Sequence, residues 1–157
     1  MTQSPSQPRI HIAGVHKVFK TDEREVVALK DINLDIPDGQ FVCLLGPSGC
    51  GKSTLLNAIA GFAPPSAGSI TTGGVAVSGP GPDRGMVFQE YALFPWMTVE
   101  QNVAFGLEIK GVSKERIQAR VTQLLDKLGL IDFRRRFPKD LSGGMRQRVA
   151  IARVLAL

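Results

Sequence analysis

Gly46-Pro47-Ser48-Gly49-Cys50-Gly51-Lys52-Ser53 fits G-x-x-x-x-G-K-[ST] at every fixed position, and Thr54 extends the match. Its flanks suit a phosphate cradle. Phe41-Val42-Cys43-Leu44-Leu45 is a short apolar run that predicts a buried parallel strand. Ser53 to Ala60 predicts a helix with Leu55, Leu56 and Ile59 on one face and Gly61 at the stop. Gly49 and Gly51 permit backbone conformations that a Cβ blocks, so consecutive N–H groups can converge on one anion. The helix start adds unsatisfied donors and partial positive charge. Lys52 brings a point charge for the β- and γ-phosphates, and the Ser53 hydroxyl is placed for Mg²⁺. The loop alone does not separate ATPases, GTPases and small-molecule kinases.

A second box narrows the choice. In Leu141-Ser142-Gly143-Gly144-Met145-Arg146-Gln147-Arg148, Ser142 reads as an N-cap, and Gly143 and Gly144 open a helix. Val149, Ala150, Ile151 and Val154 are its core candidates. The chain therefore holds two anion-binding helix starts far apart in sequence, where a simple kinase needs one.

Taken with the phosphate loop, the box resembles the LSGGQ signature of the ATP-binding cassette family, with Met145 at the Gln position. The resemblance runs from about Ile10 to Leu157. It implies an α/β fold: a P-loop NTPase core with an N-terminal antiparallel β subdomain and an inserted helical subdomain over about residues 90–145. It implies ATP and Mg²⁺ as cofactors. Residues Gly46 to Thr54 would hold the nucleotide, with Lys52 and Gln89 in catalysis and Ser53 and Gln89 at the metal. Gln89, within Met86-Val87-Phe88-Gln89-Glu90, resembles the Q-loop glutamine that links nucleotide to membrane partner. Phe19 resembles the aromatic that stacks on adenine; a strand-end core residue is its other reading. By the same resemblance two subunits sandwich ATP head to tail. Leu141, Ser142, Gly143, Gly144 and Met145 of one then face the nucleotide of the other.

The stretches Leu44 to Thr54, Gly79-Pro80-Gly81-Pro82-Asp83-Arg84-Gly85 and Ala92-Leu93-Phe94-Pro95-Trp96-Met97-Thr98-Val99 resemble the importers of nitrate, aliphatic sulfonates and taurine. In that branch the region after the Q-loop meets a permease, and a periplasmic or lipoprotein substrate-binding protein delivers the cargo. Tyr91 to Met97 is the corresponding apolar cluster. Trp96 reads equally as a partner contact or as core, and Phe94 reads as core.

Composition agrees with one modest domain. No run of eighteen apolar residues and no signal-peptide pattern occurs in these 157 residues. The expected place is the cytoplasmic face of the inner (plasma) membrane, held there by a partner. Met1 to Pro8, rich in Gln, Ser and Pro, predicts a flexible tail, and residues 9–157 the partial nucleotide-binding domain. Cys43 and Cys50 form no zinc set, and His11 and His16 receive no role. The net charge of +5 is uneven: residues 112–157 hold eleven Lys/Arg against four Asp/Glu. Arg134-Arg135-Arg136 is the one tight run and reads as a solvated face; nucleic acid is not an expected partner.

Along the chain, Ile10 to Phe19 and Leu29 to Ile36 predict antiparallel strands, with a turn at Pro37-Asp38-Gly39. Ser69 to Ser78 predicts further β structure. Thr98-Val99-Glu100-Gln101 is a capping box opening a helix to about Gly111. Ser113 opens a longer helix with Ile117, Val121, Leu124, Leu125 and Leu128 at helical spacing, closed by Gly129. The acidic strand and switch His that complete hydrolysis in the family cannot be assigned here. The expectation is a C-terminally truncated cassette, inactive and aggregation-prone when made alone. A soluble cassette ATPase acting on nucleic acid or ribosomes, and a non-catalytic nucleotide-binding fragment, are the competing readings.

Overall fold

The computed structural model describes residues 8–20, 22 and 24–157, so the predicted tail lies outside the described residues except for Pro8. The chain divides between Arg84 and Gly85 into two units.

The first unit is built on a sheet. Strands β1 (Ile10–Lys20) and β2 (Glu25–Ile36) pair antiparallel, as expected. Strands β3 (Ala67–Thr72) and β4 (Val75–Ala76) extend the sheet in the order β2-β1-β3-β4. Strict alternation fails in β1, where Ile12 and Val15 are both buried although three residues apart. A bulge explains this. Ile12 pairs with Leu34 and Val15 with Ile32, so β1 carries one extra residue there, and the buried face is regained one position later. Gly14, at φ 54, supplies the extra residue, and its N–H donates to Asn33 Oδ1 at 2.7 Å. Helix α1 (Lys52–Ala60) packs on this sheet through Leu55 and Ala58, against Ile12, Val15, Leu29 and Ile70.

Two expectations change here. Leu56 is exposed; of the three predicted, Leu55 and Ile59 face the core, joined by Ala58. The run Phe41 to Leu45 is not a strand. Phe41 and Leu45 are 88% and 92% exposed, and only Leu44 packs against the core cluster. The physical reason is lack of a neighbour. Such a strand is buried on both faces and paired on both edges, and none of the four strands of this sheet lies beside it.

The second unit is helical. Helix α2 (Val99–Ile109) opens on the predicted capping box: Thr98 Oγ1 accepts from Gln101 N, and Gln101 Oε1 accepts from Thr98 N. Helix α3 (Lys114–Lys127) follows Ser113 and buries Val121, Leu124 and Leu125. Two 3-10 turns, Ile131–Phe133 and Pro138–Asp140, lead into α4 (Gly143–Ala156). The core joins Val99, Val103 and Leu107 of α2 to Leu125 of α3 and Val149 and Ala152 of α4. The basic excess of this unit has a structural use. Arg120 donates to Leu155 O, Arg146 to Leu141 O and Arg148 to Leu128 O, each at 2.7–2.8 Å. These guanidiniums satisfy carbonyls near helix ends and turns, as cations at such places do. Arg134, read as part of a solvated run, is instead half-buried and paired with Glu100 at 2.7 Å.

Candidate functional site

The phosphate loop wraps the start of α1. Gly46, Gly49 and Gly51 take φ of 156, 81 and 96°. At Gly51 glycine is obligatory twice over: the left-handed φ disfavours a side chain, and a Cβ would stand 2.5 Å from Ala28 O of β2. The loop end is thus pressed onto the sheet, which fixes where α1 begins. Gly51 is also its N-cap, so no side chain caps the first turn, and no acidic residue lies in it. The free donors of a helix start therefore meet a positive dipole end with no internal anion. Lys52 Nζ donates to Gly46 O (2.8 Å) and Pro47 O (2.7 Å), curling the ammonium back over the loop. Ser48 and Cys50 are exposed along the loop, as is Ser53; Thr54 is half-buried.

Phe19, at the end of β1, is 45% exposed, so its core reading is not what forms; Lys17 Nζ stands 5.2 Å from its ring centroid. Phosphate loop and Phe19 belong to the first unit; Gln89 and the signature box belong to the second. Gln89 is exposed in a turn closed by Tyr91 N donating to Phe88 O at 3.0 Å.

At the signature box, Ser142 is the N-cap of α4, and its hydroxyl accepts from Met145 N at 3.3 Å. Leu141 is buried, Gly143 and Met145 half-buried, and Gly144 exposed. No acidic residue occupies the first turn. Trp96 is 70% exposed, which favours the partner-contact reading, while Phe94 is half-buried against Phe105 at 4.7 Å between centroids.

Sequence reasoning missed Asn102. It is fully buried: Oδ1 accepts from Phe94 N, and the two Nδ2 protons are shared among Phe94 O, Met97 O and Thr98 O. This one side chain fixes the loop that carries Trp96. The available signal was an Asn between Val99 and Val103 on the apolar face of α2. Arg153 was missed too, although it stands in the apolar run Ala150 to Val154. Burial lowers its pKa from the ordinary guanidinium value.

Each glycine-rich box thus opens a helix, and comparison with known proteins gives the class to which such a chain belongs. Residues 29–157 match the family model described as ABC transporter, and the chain belongs to that family. It is 54% identical over 147 residues to the nitrate import ATP-binding protein NrtD of Synechocystis sp., covering 94% of this chain and 55% of that protein. To the taurine import ATP-binding protein TauB of Rhizobium johnstonii it is 58% identical over 133 residues, 85% of this chain and 51% of that one. Among solved structures it resembles the dimeric ATP-binding cassette MJ0796 in a post-hydrolysis state bound to ADP and Pi. The TM-score is 0.85 at 36% identity, over 94% of this chain and 69% of that one. The chain spans about half the length of the curated relatives it matches.

Proposed function

We propose that this chain is the nucleotide-binding part of an ATP-driven subunit that powers import of a small anion of the nitrate, aliphatic sulfonate or taurine type. The uncapped start of α1, with Lys52 curled over the loop, carries the reading. Gly46 to Thr54 would hold the ATP phosphates, Lys52 would move from loop carbonyls to phosphate oxygens, and the exposed ring of Phe19 would stack on the base. The relatives' names, nitrate and taurine import ATP-binding proteins, support the cargo class.

The residues fit Mg²⁺ held chiefly by the nucleotide. Among the described residues no cluster of three His, Cys, Asp or Glu could hold a metal. Mg²⁺ in such sites takes one or two protein ligands beside substrate phosphates and water. Ser53 of the first unit is the proposed protein ligand, and the ion would neutralise phosphate charge. Turnover is proposed for the full-length subunit.

The proposed partners are a second copy, placed head to tail so that Leu141–Met145 faces its nucleotide, and a permease met by Tyr91–Met97. A substrate-binding protein would act through the permease. No helix among the described residues is long and apolar enough to cross a membrane. The proposed place, the cytoplasmic face of the membrane, is supported by the relatives' names as import ATP-binding proteins. The arginines spent on backbone carbonyls weigh against a nucleic-acid surface.

Equilibrium binding of ATP with Mg²⁺ tests the reading. Lys52→Ala is expected to weaken affinity about a hundredfold, ~2.7 kcal/mol. Equal affinity of variant and parent would contradict the assignment of the loop.

A further inference from the structure

Tyr91 and Ala92 both take positive φ, 62° and 47°. Neither is glycine, and two consecutive left-handed residues with side chains are strained. Ala92 N also donates to Glu90 O at 2.7 Å, closing a γ-turn centred on Tyr91 in its rare, positive-φ form. Strain of this kind persists only where surrounding structure holds it, and here the holder is visible. Arg153 of α4 donates from Nη1 to Ala92 O at 2.7 Å and from Nη2 to Tyr91 O at 3.4 Å. The same guanidinium lies 5.6 Å from the Phe94 ring centroid. The Tyr91 ring lies along the start of the same helix. Arg146 stands 5.5 Å from its centroid, and a Cβ added at Gly143 would come within 3.3 Å of its phenol oxygen.

We propose that Arg153 is a positioning residue that clamps a strained two-residue hinge at Tyr91–Ala92. The clamp ties the segment Tyr91–Met97 to the helix that opens with the signature box. This deepens the function proposed above and rests on its assignment of Tyr91–Met97 to the permease face. The segment is held at both ends, by Asn102 of α2 through Phe94 and Met97 and by Arg153 through Tyr91 and Ala92. A push on Trp96 therefore reaches α4 through backbone carbonyls and through the phenol beside Gly143. The side chain of Gln89 is not required for that path. Strain makes the hinge bistable: released from Arg153, Tyr91 and Ala92 relax to ordinary φ and the segment swings free of α4.

Hydrogen exchange of the full-length subunit, alone and assembled with its permease, tests the clamp. In Arg153→Ala, exchange over residues 88–97 is expected to rise at least tenfold, while residues 114–127 of α3 keep parental rates. Arg153→Lys, which offers a point donor in place of a fork, is expected to fall between. The discriminating variant is Ala92→Gly. Glycine takes positive φ without strain, so it should raise the melting temperature alone and restore protection over 88–97 in the Arg153→Ala background. A merely structural Arg153 would show no such rescue. Unchanged exchange in Arg153→Ala, or absence of rescue by Ala92→Gly, overturns the proposal. If Arg153→Ala does not fold, the Arg153→Lys and Ala92→Gly pair gives the same decision. Failure of the permease to protect 88–97 in the parent overturns the permease-face assignment instead, and leaves the hinge measurement to be judged on its own outcome.

Discussion

Two helices of this chain begin on glycine-rich boxes, and they begin differently. At α1 the N-cap is Gly51, and no side chain closes the first turn. At α4 the N-cap is Ser142, whose hydroxyl already accepts from Met145 N. The first start also has its own cation, Lys52, within the loop. At the second, Arg146 donates to Leu141 O and lies over the Tyr91 ring. The first start is therefore equipped to bind a polyanion by itself. At the second, one donor is already taken by the Ser142 cap, and in the pairing proposed above this start meets a ligand held by another subunit.

The sharpest way to break the contrast is at Gly51. Gly51→Ala would combine a left-handed φ with a Cβ 2.5 Å from Ala28 O. It is expected to cost at least ~2 kcal/mol of stability, read from urea unfolding, and to displace the loop from its sheet. A loss under half that would mean the loop is not anchored on β2. Removing the cap at the other start is milder. Ser142→Ala should cost about 1 kcal/mol in the same measurement and leave ATP affinity of an isolated subunit unchanged. Weaker binding in that monomer would erase the distinction between the two starts. The smallest effect is expected at Leu45, 92% exposed just before the phosphate loop. Leu45→Lys in the 157-residue chain should shift stability by less than ~0.5 kcal/mol yet raise the concentration at which light scattering appears. Unaltered aggregation would show that this exposed apolar run does not drive association.

Local chemistry was legible where it is self-contained. The capping box Thr98–Gln101 and the loop glycines act over a few residues, so spacing alone places them. What needed distant partners was not legible. The bulge at Gly14 depends on pairing with β2 and moves Val15 onto the buried face. The run Phe41–Leu45 has the composition of a buried strand, but a strand exists only beside another. Asn102 and Arg153 look like polar exceptions in apolar faces until the carbonyls they satisfy are seen, and those carbonyls come from residues 91–98. Phe19 and Trp96 each had two sequence readings, and their exposure goes against the core reading of both.

On the function proposed above, the start of α1 binds nucleotide unaided while the start of α4 requires a second copy. Amide hydrogen exchange of the full-length subunit, saturated with ATP and Mg²⁺, tests it most directly. At concentrations where the subunit is monomeric, strong added protection is expected over residues 46–54 and no added protection over residues 141–146, which gain it only as copies pair. No added protection over 46–54, or added protection of 141–146 in the monomer, would contradict it.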